Sequence, residues 1–343
     1  MTFARSPHPE TLPDAARSVS DPSRRGFLAG LAALFATATF GLAPPLSAAA
    51  SRDRRVQRGT VATTAARAPQ RTGGFQTGNN LSTEINDHIQ HLRRTGRIRA
   101  NERTAWLIYD FTSQRYLVTI NASTPYQSAS MVKPFVALAF FHKVREGKLQ
   151  YTPYRRGRME AMIQSSNNQA TNYFIDLVGQ TSRRSGPAEV EHTLKRYHPG
   201  IFRQTRIVER IPPGGRTYRN RASALDYHRF LHALWYDQFP YSGELKRVMH
   251  LPNRNRIYTG VPQVARQTQV LHKTGTTAQL CGNIGILIAR GRDGRRYPYT
   301  FVGIIEKSQR TKNFTVWKDD RGDVIRDVSG IAYSHLQRLH NLV

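Results

Sequence analysis

Ser130 and Lys133 stand three residues apart at the head of an apolar run, Pro134-Phe135-Val136-Ala137-Leu138-Ala139-Phe140-Phe141. On a helix that spacing puts a hydroxyl and an amine one turn apart on the same face. A serine hydroxyl is a weak nucleophile at its free pKa and needs an adjacent base. A lysine is such a base when its surroundings lower its pKa. The pair is the only Ser-x-x-Lys in the chain. Two further polar groups follow at long range, Ser166-Asn167-Asn168 and Lys273-Thr274-Gly275-Thr276. Taken singly, such residues serve as helix caps, turn formers and solvated strand ends. A rival pattern is His228 and His232, four apart as zinc ligands often are. No Glu follows His228 and no third ligand is evident, so both are expected to be ordinary helix residues. Cys281, the one cysteine, excludes an internal disulfide and reads as a small buried hydrophobe.

The elements that must position these residues can be read from periodicity. Ile85, Ile89 and Leu92 recur at helical spacing, with Ser82 or Thr83 as N-cap. Thr104 to Phe111 and Arg115 to Ile120 read as strands joined at Thr112-Ser113-Gln114. The helix opening near Ser130 is apolar nearly all round, which predicts burial, and Gly147 ends it. Helical segments are expected over Met159 to Ile163, Thr171 to Val178, Val190 to Tyr197 and Ala224 to Tyr236, with a loop at Pro212-Pro213-Gly214-Gly215. Strands return at Val270 to Lys273, Asn283 to Ala289 and Tyr299 to Ile305, the last two around an Asp293-Gly294 turn. Ser329 to Asn341 reads as a final amphipathic helix presenting Ile331, His335, Leu336 and Leu339. Strands at both ends and helices between them predict an α/β (α+β) chain. One antiparallel sheet is assembled from both chain ends and flanked by the terminal helices, with an all-helical lobe inserted. A cleft between the lobes is the expected place for a site.

In order, Ser130-x-x-Lys133, Ser166-x-Asn168 and Lys273-Thr274-Gly275 match the three motifs of the penicillin-recognising serine hydrolases. Over about residues 81–343 the chain resembles class A β-lactamases and related D,D-peptidases, which have the β-lactamase/transpeptidase-like fold. Ala170-Thr171-Asn172 also fits and sets the register on Ser166 and Asn168 rather than Ser165 and Asn167. The resemblance implies that Ser130 attacks an acyl carbonyl and that Lys133 takes its proton, directly or through water. Lys273 would help keep Lys133 neutral by like-charge repulsion. Ser166 would relay a proton to the leaving nitrogen, and Asn168 would hydrogen-bond a substrate amide. Lys273, Thr274 and Thr276 would hold the substrate carboxylate. The backbone N–H groups of Ser130 and Thr276 would form the oxyanion hole. Gly275 would let the strand edge approach the substrate.

Two departures accompany the resemblance. Only 36 positions separate Ser130 from Ser166, fewer than is usual in class A enzymes, so part of the helical lobe must be trimmed. Class A enzymes also carry a Glu-x-x-Leu-Asn loop whose acid activates the deacylating water, and no such string occurs. Glu209, in Arg206-Ile207-Val208-Glu209, falls about where that loop belongs and is the candidate base. Without such a base an acyl-enzyme formed with a β-lactam would persist.

The chain has 343 residues, enough for a large core, and its formal charge is +28, from 51 Lys and Arg against 23 Asp and Glu. The first fifty residues hold four Arg and three acids, so nearly all of that charge lies beyond them. Ser23-Arg24-Arg25-Gly26-Phe27-Leu28 resembles a twin-arginine export motif, with Ala29 where a lysine is usual. An apolar stretch from Gly26 to Ala43, Pro44-Pro45 and Ser47-Ala48-Ala49-Ala50 follow, as in a cleavable signal. No cysteine follows the apolar stretch, so a lipid-modified terminus is not expected. Residues 1–50 are therefore read as the signal and 51–80 as a disordered basic linker. Residues 81–343 are read as the hydrolase domain, with a sheet lobe at about 81–127 and 265–343 and a helical lobe at about 128–264. Export makes the expected partners β-lactams or peptidoglycan stem peptides, with anionic cell-envelope polymers suggested by the charge. Nucleic acid, a permanent membrane anchor, a metal and an organic cofactor are not expected, and a monomer is. The leading functional expectation is a periplasmic or extracellular class A-like β-lactamase acting through a Ser130 acyl-enzyme. The alternatives are a penicillin-binding D,D-peptidase and, further off, a non-catalytic β-lactam or cell-wall binding module.

Overall fold

Alternating and continuous apolar runs of β-branched and aromatic residues build the sheet that organises this chain, here a computed structural model describing residues 80–215 and 219–343. The export signal and, but for Asn80, the linker expected from the sequence lie outside the described residues. The strands β1 (Glu102–Asp110) and β2 (Arg115–Ile120) form a hairpin. Two short strands, β3 (Pro125–Gln127) and β4 (Arg221–Ser223), pair separately. The strands β5 (Gln269–Thr276), β6 (Leu280–Arg290) and β7 (Arg296–Lys307) complete the main sheet, in the order β2-β1-β7-β6-β5. Every pairing in it is antiparallel. The β1–β7 pairing joins the two ends of the described chain, as the sequence pattern requires.

Successive side chains of a strand face opposite ways, and both faces of this sheet are covered. Trp106 and Ile108 of β1 pack with α1 (Leu81–Arg94) and the C-terminal helix, while Ala105, Leu107 and Tyr109 pack toward the central helices. Those central helices are α2 (Lys133–Arg145), α3 (Pro153–Ile163), α4 (Asn168–Gly179), α5 (Gly186–Tyr197), α6 (Ala224–Trp235) and α7 (Ser242–His250). The helix α2 is buried from Lys133 to Lys143 and forms the axis of this layer. The final helix, α8 (Phe314–His340), lies on the opposite face with α1. Among the described residues no helix is long and apolar enough to cross a membrane.

Several local expectations need correction. Asn80, not Ser82 or Thr83, caps α1, its Oδ1 accepting from Ser82 N at 3.1 Å. The last helix begins at Phe314 rather than Ser329, because Asn313 caps it and its polar first half offers little apolar periodicity. Its buried face is Val324, Ile325, Val328, Ala332, Tyr333 and Leu336, whereas Leu339 is 51% exposed. Of the expected stripe Leu336 is buried and Ile331 packs at the edge of the core, while Leu339 faces solvent and Tyr333 fills a core position instead. The helix α7 and the β3–β4 pair had no sequence signal strong enough to name them.

Candidate active site

Ser130 sits in a 3-10 turn, Ala129–Val132, one turn ahead of α2. Ala129 holds φ at +43°, a left-handed conformation that costs an L-residue about 1–3 kcal/mol and persists only where its surroundings impose it. Here they do. Ser128 N donates to Asn220 O at 2.8 Å, and Met131 N donates back to Ser128 O at 3.0 Å. Ala129, Met131 and Val132 are buried, and Ser130 is left partly accessible.

A second constraint comes from the sheet. Gly275 and Gly282 face each other across β5 and β6, and together they leave a socket for Met131. A Cβ on Gly275 would lie 2.8 Å from Met131 Cγ and 3.2 Å from Met131 N, and one on Gly282 would lie 2.7 Å from Met131 Cε. Both contacts are too close to be tolerated without movement. The paired glycines therefore bring the Ser130–Met131 backbone against the Gly275–Thr276 strand edge. Sequence reasoning assigned Gly275 to substrate approach but missed Gly282 and Met131, for which no motif exists.

Lys133 is fully buried at the start of α2. Its Nζ donates to Ser166 O, to Ser166 Oγ at 3.0 Å and to Asn168 Oδ1 at 2.9 Å. None of these acceptors is a carboxylate. Burial, with the charge of Lys273 second, pushes the amine down to about 6. Lys273, on β5, is 1% exposed, and among the described residues its Nζ has one weak bond, to Thr274 O at 3.3 Å. Burial and then the Arg256 guanidinium bring it down to about 7.

Ser166 and Asn168 reach Lys133 because of how α4 begins. Ser166 adopts φ +56°, and Asn167 caps the helix by accepting from Ala170 N at 2.8 Å. Asn168, the first helical residue, is thereby free to face Lys133. The Pro212-Pro213-Gly214-Gly215 segment comes against the same carboxamide, since a Cβ on Gly215 would meet Asn168 Nδ2 at 3.0 Å.

Arg256 joins the site from a loop without a motif. Its NH2 donates to Thr276 Oγ1 at 2.8 Å and its NH1 to Gly282 O at 3.0 Å. As one basic residue among 51, it gave the sequence reading nothing to select.

Glu209 belongs to a different construction. It is part-buried, and its Oε1 accepts from the backbone N–H of Arg219 at 2.9 Å. Asn220 braces the same loop. Its Oδ1 accepts from Val208 N and Glu209 N at 2.8 and 3.1 Å, and its Nδ2 donates to Glu209 O at 2.9 Å. The loop is thus tied to Ser128, through the Asn220 carbonyl.

The other candidates lie elsewhere. His228 is buried against Tyr109, Tyr116 and His232, with Nδ1 3.0 Å from Thr300 Oγ1, and burial lowers its pKa to about 3. Among the described residues no group of three metal-ligating side chains occurs. Cys281 is buried in the layer beneath α8, and that burial raises its thiol pKa.

This arrangement can do acyl-transfer chemistry. It offers a partly accessible serine three residues ahead of a buried amine whose pKa burial lowers to about 6, a second hydroxyl touching that amine, and a strand edge bearing a second buried lysine. The sequence profile of the Beta-lactamase enzyme family matches residues 81–153 and 157–336. Among solved structures, PBP-A is similar at a TM-score of 0.59 and 20% identity, over 76% of this chain and 97% of that one. A PBP-A mutant, solved as an acyl-enzyme complex with penicillin G, gives the same TM-score at 19% identity, with the same coverage. The β-lactamase from Desulfarculus baarsii gives 0.58 at 15% identity, over 74% of this chain and 98% of that one. At such identities these likenesses show the fold alone. No curated protein sequence matches the chain.

Proposed function

The chain belongs to the Beta-lactamase enzyme family, and from that premise we propose that it is an exported serine hydrolase acylated at Ser130 by β-lactams and by peptidoglycan stem peptides. The observation that carries this reading is the state of Lys133: fully buried, near pKa 6, and within 3.0 Å of the Ser166 hydroxyl.

The amine of Lys133 takes the Ser130 hydroxyl proton, directly or through one water, as Oγ attacks the acyl carbon. The tetrahedral oxyanion forms between the backbone N–H groups of Ser130 and Thr276. When the C–N bond breaks, Ser166 gives its hydroxyl proton to the leaving nitrogen and recovers one from the Lys133 ammonium. Lys133 is neutral again and Ser130 carries an ester, which water cleaves to an acid and the free serine. Lys273, Thr274 and Thr276 hold the substrate carboxylate, with Arg256 steadying Thr276. Asn168 binds the acyl-side amide. The catalytic domain in this reading is residues 81–343, and the twin-arginine-like signal supports action in the periplasm or outside the cell.

Release of the ester is the slower half. Among the described residues Lys133 has no carboxylate partner, and Glu209 accepts from the Arg219 backbone. That favours a long-lived acyl-enzyme, as in a penicillin-binding D,D-peptidase. A β-lactamase with Glu209 as deacylating base is the second reading, favoured by the tie from the Glu209 loop through Asn220 to Ser128.

A chromogenic cephalosporin followed by intact-mass measurement separates them. A Ser130 adduct that outlasts many minutes, absent in Ser130→Ala, is the expected result. Rapid turnover without an adduct would favour the β-lactamase. Neither adduct nor turnover would leave a non-catalytic binding module.

A further inference from the structure

A cavity of about 540 Å³ opens beside Thr274, walled by the 254–260 loop and the first half of α8. That volume suits a whole chemical group with its own contacts, since ligand pockets run to roughly 300–1,000 Å³. It exceeds the needs of the single carboxylate assigned above to Thr274 and Thr276.

Its charge is uneven. Four cations line it, Arg254, Arg256, Lys318 and Arg326, against two acids. Both acids are already taken: Asp319 pairs with Lys318, and Asp323 pairs with Arg326 at 2.7 Å. Arg254 and Arg256 have no carboxylate partner among the described residues. Two glycines let guanidiniums pack close against the wall. A Cβ on Gly322 would lie 3.3 Å from Arg326 NH1 and 3.4 Å from Arg256 Nε. One on Gly260 would lie 3.3 Å from Arg326 Nε. Arg256 and Arg326, the latter paired with Asp323, come against the same glycine, and an anion between two guanidiniums relieves the repulsion left between them.

Position supplies the rest. Because Thr274 forms part of the wall, a group in the cavity lies next to the substrate carboxylate, on the leaving-group side of the scissile bond. We propose that this cavity is a subsite for a second carboxylate, carried by the part of the substrate that leaves. The substrates it selects are acyl peptides whose released fragment is a dicarboxylate, and β-lactams with an anionic group next to the ring carboxylate. The assignment of the leaving-group side rests on the catalytic reading above.

The test uses two cephalosporins alike except at the 3-substituent, one neutral and one bearing a carboxylate. Their equilibrium binding to the full-length Ser130→Ala protein is measured by calorimetry, and their acylation of the unmodified protein by intact mass. The carboxylate probe should bind about tenfold tighter, the effect of one charge-assisted contact. Arg254→Gln and Arg326→Gln together should bring the two within about twofold while leaving the neutral probe unchanged. Arg254→Gln alone, at an exposed loop residue, should give part of the loss if the double variant folds poorly. Equal binding of the two probes to Ser130→Ala would overturn the subsite, whatever acylation shows. A preserved preference without any acylation of the unmodified protein would uphold the anion subsite and count against the catalytic reading alone.

Discussion

Lys133 and Glu209 are both ionisable residues on elements that meet near Ser130, yet the chain treats them oppositely. Lys133 is fully buried, is bound to Ser166 and Asn168, and is kept near pKa 6 by desolvation and a second buried lysine. Such burial costs stability, because an amine taken from water gives up its hydration and its charge. Glu209 is part-buried and accepts a backbone N–H, in a loop whose other backbone groups are satisfied by Asn220. That arrangement adds stability, because it answers groups that would otherwise be unpaired. Strain at Ala129 and Ser166 falls on the Lys133 side too. The contrast teaches where the fold tolerates local cost, as a working site would require. The region around Ser130 and Lys133 bears the unfavourable local terms and is held in place by the rest of the fold. The Glu209 loop is built as ordinary well-bonded structure.

Removing Lys133 tests this most severely. Lys133→Met should slow acylation of Ser130 by about 10²–10⁴-fold, the usual contribution of a positioned base. A loss under tenfold, measured with the chromogenic cephalosporin, would move the base elsewhere. The pH profile comes next in size. If Lys133 is the base it must be neutral, so the second-order acylation constant should rise about tenfold per unit up to about 6. If Lys273 binds the carboxylate it must be charged, so the constant should fall again above about 7. A profile flat from pH 5 to 8 would break the assignment of both lysines.

Packing around the nucleophile should give a smaller effect with a second readout. Gly275→Ala places a methyl 2.8 Å from Met131 Cγ, and overpacking of this kind costs about 1–3 kcal/mol. Both melting temperature and acylation should drop, because Met131 adjoins Ser130. By contrast Asn220→Ala, on the other side of the comparison, should cost a similar 1–3 kcal/mol by leaving backbone groups unpaired. Its acylation constant should stay within about threefold, since Ser128 bonds to the Asn220 carbonyl and not to its side chain. An equal loss of acylation in both variants would erase the distinction between the two regions.

The sequence carried these two regions unequally. Ser130, Lys133, Ser166, Asn168 and the Lys273 strand could be picked out because their residue types and order match a known set of motifs, and the structure brings Lys133, Ser166 and Asn168 into contact. The antiparallel sheet was legible because strands buried on both faces leave long apolar runs at each end of the chain. What held the site together was not legible. Met131 between Gly275 and Gly282 depends on a cross-strand register that no local pattern encodes. Arg256 acts through a loop whose shape comes from Asn255, whose Oδ1 accepts from the backbone N–H of Ile257, Tyr258 and Thr259. The first half of α8 was hidden for a related reason: its residues face a polar cavity as well as the core, so helical periodicity fades there.

Glu209→Gln offers the finest division between the two readings of release. The substitution keeps the side chain's size and leaves an oxygen to accept from Arg219 N, so the loop should fold as before. It removes the only property a deacylating base needs, an ionised oxygen able to take a proton from water. If ester release does not run through this carboxylate, the lifetime of the Ser130 adduct should change by less than about twofold, within what a surface substitution does to stability and rate. A lifetime lengthened a hundredfold or more, with acylation unaltered, would place Glu209 in the reaction. The loop would then be catalytic in spite of its bonding, and the chain a β-lactamase whose acid stands outside the Glu-x-x-Leu-Asn setting. Acylation and release are separate measurements on one adduct, so this outcome would revise the second half of the cycle while leaving Lys133 and Ser130 where they are.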